Sequence, residues 1–154
     1  MLLQRRIQSH MNQNNHHERP ILLIEDNPMD IDLTLRAFKK EGLSNPIELA
    51  RDGEEALALI PQWEAGKPLP LIILMDLKLP KVGGLEVTRR IKEHREFKII
   101  PIVVLTSSSE DKDIKTAYQY GANSYIVKPV DFDKFAAVAA EINLYWIGTT
   151  VLPG

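Results

Sequence analysis

The chain has 154 residues, which is enough for one domain with a single core and too short for two ordinary domains. Its hydrophobic fraction of 44%, charged fraction of 26% and formal net charge of -2 are typical of a soluble globular protein and exclude a chain that coats nucleic acid. Cysteine is absent, which excludes disulfides and thiolate chemistry. Because no apolar run reaches the roughly 20 residues of a spanning helix, and no signal-peptide core follows Met1, we expect a cytoplasmic protein.

Residues 1–19 are rich in Gln, Asn, His and Arg and show no sustained apolar period. They are predicted to form a flexible N-terminal arm ahead of the domain. The arm contains His10, His16 and His17, but a flexible segment has no fixed geometry to hold a metal. We therefore predict no metal site there.

From Pro20 onward, short apolar runs alternate with amphipathic stretches of helical length. The runs cover residues 21–24, 47–50, 71–75, 102–105 and 125–127. The helical period is clear at Ile31, Leu35 and Phe38, at Ile114, Ala117 and Tyr118, and from Phe135 through Val138, Ala139 and Ile142 to Trp146. The alternation predicts an α/β fold in which five β-α units form a doubly wound parallel sheet. Ligands of such sheets bind beyond the carboxyl ends of the strands.

Local signals mark several helix ends. Asn27 before Pro28 suits a helix start, and Asp52 with Glu55 resembles a capping box. Gly121 suits a helix end.

Polar residues follow four of the five predicted strands. They are Glu25 and Asp26 after the first, Asp76 after the third, Thr106 and Ser107 after the fourth, and Lys128 after the fifth. Each alone is explained by helix capping, a turn or solvation. Three carboxylates at one sheet edge would repel one another and raise each other's pKa, so the cluster predicts a bound cation.

Carboxylates without His or Cys favour a hard cation, and Mg²⁺ commonly binds one or two carboxylates together with phosphate oxygens. An aspartate at the centre, Asp76, could attack phosphorus and form an acyl phosphate. Lys128 would stabilise charge on the phosphoryl oxygens, and Thr106 would donate a hydrogen bond to one of them.

These residues resemble those of the two-component response-regulator receiver domain. The resemblance rests on Glu25-Asp26, Asp76 with Leu77-Lys78-Leu79-Pro80 and Gly83-Gly84, Thr106-Ser107, and Lys128-Pro129. It covers residues 20–147, leaves 148–154 as a C-terminal extension, and implies a flavodoxin-like strand order 2-1-3-4-5. It also implies a phosphoacceptor switch, not an enzyme, that receives its phosphoryl group from a sensor histidine kinase and acts by contact with another protein.

The resemblance assigns a role to each pocket residue. By this resemblance, Asp76 is the phosphoacceptor and Lys128 pairs with the phosphoryl group. Mg²⁺ is bound by Asp26, Asp76 and the main-chain carbonyl of Lys78, with Glu25 acting through water. Thr106 and Tyr125 form the switch, and a cis bond precedes Pro129.

Three segments are similar to the small regulators that pair with bacterial, especially cyanobacterial, phytochromes. They are residues 61–68, residues 99–108 and the ending from Tyr145-Trp146 through residues 151–153. The expected kinase is therefore a phytochrome.

Other functions fit the sequence less well. A phosphohydrolase of the haloacid-dehalogenase type would carry an acid two residues after Asp76, where this chain has Lys78. A nucleotide or flavin site would need glycines in the first turn, which instead places Glu25 and Asp26 where phosphates would lie. No helix-turn-helix follows the last predicted helix, so we expect no nucleic-acid partner.

The apolar stripe of the last helix continues through Tyr145, Trp146 and Ile147 into Val151 and Leu152. This surface either folds back on its own domain or covers a second copy of the chain. Trp and Tyr are frequent interface anchors, and the resembling regulators pair through their last helices, so a homodimer through these helices and the C-terminal extension is expected.

Overall fold

The computed structural model describes residues 19–128 and 131–144. Within them, five strands form in chain order: β1 Ile21–Ile24, β2 Ile47–Ala50, β3 Ile72–Met75, β4 Ile102–Thr106 and β5 Ser124–Val127. The helices are α1 Pro28–Lys40, α2 Gly53–Leu57, α3 Leu59–Glu64, α4 Gly84–Glu93, α5 Asp111–Gln119 and α6 Phe132–Ile142, and a short 3₁₀ turn, Phe97–Ile99, precedes β4. The longest described helix has 13 residues, so none of the described helices could span a membrane.

The strands form one fully parallel sheet in the order β2-β1-β3-β4-β5. This confirms the predicted α/β fold and strand order. The predicted strand bounds are correct to within one residue: β3 begins one residue after Leu71, β4 extends to Thr106, and β5 begins one residue before Tyr125.

Helices cover both faces of the sheet, which explains why its strands read as continuous apolar runs. On one face, Leu22, Ile24 and Ile73 pack with buried residues of α2 to α5. On the other, Ile21, Leu23 and Ile72 pack with α1 and α6. The buried face of α1 includes Ile31, Ala37 and Phe38, whereas Leu35 and Tyr118, which share the predicted helical period, are exposed.

The predicted helix ends are present. The Asn27 side chain accepts hydrogen bonds from the main-chain N–H groups of Met29 and Asp30 at 2.9 and 3.3 Å. Asp52 accepts from the Glu55 N–H at 2.8 Å. Gly121 ends α5 with a φ of 102°, a conformation that favours glycine.

The segment after β2 is divided into two short helices, α2 and α3, which meet at Ala58. Pro61 explains the division, because it has no N–H to donate to the carbonyl four residues earlier. Trp63 of α3 is fully buried and meets Phe97 edge to face, with 5.4 Å between the ring centroids. The segment resembling phytochrome regulators therefore contributes an aromatic side chain to the core.

The domain is anchored from Arg19, whose guanidinium donates to the carbonyls of Leu69 and Pro70 at 3.2 and 3.1 Å. Several sequence predictions lie outside the described residues. These are the predicted arm over residues 1–19 apart from its last residue, Arg19, the peptide bond before Pro129, and the segment from Tyr145 to Gly154, which includes Trp146.

Candidate functional site

The polar residues at the strand ends lie together, as the parallel sheet requires. Because all five parallel strands end at the same edge of the sheet, the side chains that follow four of them line one open pocket there, although they are far apart in sequence. Its lining includes Asp26, Asp30, Asp76, Lys78 and Lys128.

Asp76 lies at the centre and is only 7% exposed. Its Oδ1 accepts hydrogen bonds from Thr106 Oγ1 at 2.7 Å and from the Lys78 N–H at 3.2 Å, and its Oδ2 accepts from Lys128 Nζ at 3.0 Å. Burial alone would raise the pKa of Asp76, but the Thr106 and Lys128 contacts outweigh it and hold the pKa below its ordinary value. The carboxylate is therefore in the anionic form that a nucleophile needs.

Lys128 is the positive centre of the pocket. Its Nζ lies 2.5 Å from Glu25 Oε1, 2.7 Å from Asp30 Oδ2 and 3.0 Å from Asp76 Oδ2. Burial alone would lower the pKa of this lysine, but the carboxylates raise it above its ordinary value. The main-chain N–H of Lys128 also donates to the Thr106 carbonyl at 2.7 Å, which fixes the lysine beside β4.

Glu25 and Asp26 are adjacent in sequence but have different environments. Glu25 is buried, and its Oε2 accepts from the N–H groups of Asp26 and Asn27 at 3.0 and 3.3 Å. Burial raises the pKa of Glu25 to about 7, although its contact with Lys128 opposes the shift. Asp26 is exposed, so its carboxylate is open to solvent.

Glu25, Asp26 and Asp76 each offer a carboxylate oxygen, and these oxygens lie within 4.8 Å of one another. An all-oxygen donor set with one solvent-facing carboxylate suits a hard divalent cation that keeps part of its water shell. The residues present therefore fit the predicted Mg²⁺ site.

The loop between β3 and α4 forms one wall of the pocket and is held by two close backbone approaches. A Cβ atom at Gly84 would lie 2.3 Å from the Asp76 carbonyl oxygen, and one at Gly53 would lie 1.9 Å from the Val82 carbonyl oxygen. Only glycine fits at these two positions without a shift of the backbone. The loop that carries Lys78 is therefore positioned by main-chain packing.

The two predicted switch residues are connected through Ser108, which is 5% exposed. The Ser108 N–H donates to Thr106 Oγ1 at 3.4 Å, and the Tyr125 hydroxyl donates to the Ser108 carbonyl at 2.8 Å. The Ser108 hydroxyl in turn donates to Asp113 of α5 at 2.6 Å. A displacement of Thr106 would thus reach both β5 and α5.

Asp30 and Ser108 were not among the site residues predicted from the sequence. The signal for Asp30 was its spacing: it follows Asp26 by four residues and lies in the first turn of a helix that begins at the pocket. Ser108 contacts Thr106 and Tyr125 through its main-chain N–H and carbonyl, which every residue type except proline has, so its side chain gave no signal in the sequence.

Comparison with known proteins agrees with this geometry. The family model described as "Response regulator receiver domain" matches residues 21–140. The chain is 43% identical over 135 residues to "Probable methanogenesis regulatory protein FilR2" of Methanothrix harundinacea, with 87% of each chain covered.

Two solved structures are also similar. The phosphorylated cyanobacterial phytochrome response regulator RcpA matches with a TM-score of 0.81 and 35% identity, over 89% of this chain and 99% of that one. The Mn²⁺-bound response regulator Rcp1, a protein known from Synechocystis, matches with a TM-score of 0.79 and 33% identity, over 88% and 99%. The chain belongs to the response regulator receiver family and is related to phytochrome response regulators.

Proposed function

We propose that the protein is a single-domain response regulator that accepts a phosphoryl group on Asp76 from a sensor histidine kinase in a Mg²⁺-dependent reaction. The observation that supports this most directly is the anionic Asp76 carboxylate, held between the Thr106 hydroxyl and the Lys128 ammonium beside two further acids. Receiver domains in general are phosphoacceptor switches, and membership of the family supports the same role here.

In the proposed transfer, a carboxylate oxygen of Asp76 attacks the phosphorus of a phosphohistidine. The P–O bond forms as the P–N bond breaks, and the imidazole nitrogen keeps the electron pair. Asp26, Asp76 and the Lys78 carbonyl, with Glu25 through water, would hold the Mg²⁺ that neutralises charge on the phosphoryl oxygens. Lys128, already 3.0 Å from Asp76, pairs with one of those oxygens.

The signal then leaves the pocket through Thr106. The Thr106 hydroxyl turns from Asp76 toward a phosphoryl oxygen, Ser108 follows, and Tyr125 turns inward. This repacks the face formed by α5, β5 and α6, and a partner protein binds that face. The protein thus acts as a switch, and its only catalysis is its own phosphoryl transfer and slow dephosphorylation.

The proposed kinase is a phytochrome in the cytoplasm. The support is the likeness to RcpA and Rcp1, together with the inserted segment whose Trp63 is buried in the core. The chain is also 43% identical to a methanogenesis regulator, so phytochromes should be compared with other histidine kinases in the same assay.

Homodimerisation through the last helices and the C-terminal extension is part of the proposal. Phe135, Ala139 and Ile142 of α6 are already buried against the domain's own core. The aromatic continuation at Tyr145 and Trp146 is therefore proposed to cover a second copy. Trp146→Ala should shift sedimentation toward monomer, whereas a wild-type protein that is monomeric at high micromolar concentration would contradict the dimer.

The deciding experiment is phosphoryl transfer from kinases autophosphorylated with labelled ATP. Wild type should acquire an acid-labile, hydroxylamine-sensitive label only with Mg²⁺, and Asp76→Asn should not. Asp32→Asn is the matched control, because Asp32 pairs with Arg36 on the exposed face of α1, away from the pocket. Normal labelling of Asp76→Asn would show that the nucleophile is wrong.

A further inference from the structure

One carboxylate of the pocket has no part in the transfer described above. Asp30 Oδ2 lies 2.7 Å from Lys128 Nζ, closer than Asp76 Oδ2 at 3.0 Å. A lysine ammonium has three N–H donors, and here Glu25, Asp30 and Asp76 each lie within hydrogen-bond distance of it. Asp30 therefore shares the lysine that the phosphoryl group is expected to use.

Asp30 is held firmly in this position. It lies in the first turn of α1, where its main-chain N–H donates to Asn27 Oδ1 at 3.3 Å and its carbonyl accepts from Thr34 Oγ1 at 2.7 Å. Its side chain is 23% exposed. The contact with Lys128 joins residues 98 positions apart and ties α1 to the end of β5.

Charge decides what Asp30 does when the pocket changes state. Phosphorylation replaces the single negative charge of Asp76 with a nearly dianionic group, while the Asp30 carboxylate stays beside the same lysine. Like charges so close repel strongly where water is partly excluded. If Asp30 is neutralised, Lys128 should keep its position in the pocket, because its Nζ still contacts Glu25 Oε1 at 2.5 Å.

We propose that Asp30 is a positioning residue that restrains phosphorylation: it binds Lys128 in the resting pocket and disfavours the phosphoryl-bearing one. The proposal rests on the proposed function of Asp76. The same negative charge favours a cation in the pocket, so Asp30 acts in opposite directions on Mg²⁺ and on a phosphoryl-like anion.

The test is therefore a pair of titrations on Asp30→Asn, which keeps the side chain's size and removes its charge. Mg²⁺ alone, measured by calorimetry, should bind more weakly than to wild type. Beryllofluoride, a phosphoryl mimic measured by ¹⁹F NMR at saturating Mg²⁺, should bind more tightly. Removal of one nearby charge should change each affinity on the order of 3- to 10-fold. Labelling by phosphoramidate, which needs no kinase, should become faster.

Two variants separate charge from structural damage. Asp32→Asn removes the same charge from the exposed face of the same helix, where Asp32 pairs with Arg36 at 2.8 Å, and should leave both affinities unchanged. Asp30→Glu restores the charge and should return both toward wild type. A damaged pocket would weaken both ligands together, so opposite shifts are specific to the proposal.

Beryllofluoride binding by Asp30→Asn that is unchanged or weaker than wild type would overturn the restraint while leaving Asp76 as phosphoacceptor. Equal effects of Asp32→Asn and Asp30→Asn would overturn it as well. If wild type takes up neither beryllofluoride nor phosphoryl groups, or if Asp76→Asn still takes them up, the proposed function fails and the role of Asp30 fails with it.

Discussion

Replacing Gly84 with alanine should displace the main chain of Asp76 and Leu77 and so disturb the pocket. The new Cβ would lie 2.3 Å from the Asp76 carbonyl oxygen and 2.7 Å from Leu77 Cα. Carbon and carbonyl oxygen normally approach to about 3.3 Å, so the backbone must separate by about 1 Å. Such overpacking destabilises a folded protein by about 1–3 kcal/mol. Alanine also reduces the conformational entropy of the unfolded chain, which offsets about 0.4–1 kcal/mol of this cost. We therefore expect the free energy of unfolding to fall by ~1–2 kcal/mol.

The adjacent glycine provides the control. A Cβ at Gly83 would meet only the Leu77 carbonyl oxygen, at 3.8 Å, and the φ of Gly83 is -69°. Gly83 is the N-cap of α4, where alanine is less favourable than glycine, but this loss is offset by the stiffer unfolded chain, so Gly83→Ala should be close to neutral. Urea unfolding should separate the two variants. Because a misplacement of 1 Å can cost on the order of 100-fold in rate, Gly84→Ala should also slow phosphoramidate labelling of Asp76. Equal stability and equal labelling of both variants would refute the close-packing explanation.

Three further outcomes are expected. Asp26→Ala should weaken Mg²⁺ binding in calorimetry more than Glu25→Gln, because Asp26 faces solvent and is the proposed direct ligand, while Glu25 is held by the lysine and is proposed to act through water; the reverse order would exchange their roles. Thr106→Ala should still permit labelling of Asp76 but remove the beryllofluoride-induced NMR shifts on the α5-β5-α6 face, and shifts equal to those of wild type would exclude the threonine route. Burial lowers the pKa of Lys92 to about 8, below its ordinary 10.5. Between these two pH values the unfolded chain binds more protons than the folded one, so the free energy of unfolding should rise with pH. Urea unfolding at pH 8 and pH 10 should show this rise for wild type and not for Lys92→Met.

The sequence predicted the sheet well because buried parallel strands are short apolar runs with polar residues at their ends. Since the strands end at one edge, the positions of Asp76, Thr106 and Lys128 followed from topology alone. The partners of Lys128 did not follow: Asp30 approaches from a helix, and its contact depends on how α1 is placed over the sheet.

The connection through Ser108 was also beyond the sequence, because it depends on the path of a loop and uses a main-chain carbonyl. Pro61 explains the division of the helix at Ala58, but the apolar pattern used to predict strands and helices did not indicate this division. Helix ends and the residues at strand ends could thus be predicted from the sequence, whereas contacts between separate helices, strands and loops could be seen only in the folded structure.

The contacts of the pocket have one consequence for how the protein matures. Asp76 meets Thr106 and Lys128 across 30 and 52 residues, and Lys128 meets Asp30 across 98. Contacts between such distant parts of a chain form late in folding, after the intervening loops have closed. A chain still leaving the ribosome lacks Lys128 until β5 has been made, so it carries Asp76, the proposed phosphoacceptor, without the lysine that contacts it in the folded pocket. Under the proposed function, competence to accept a phosphoryl group would then be acquired only when the whole sheet is complete.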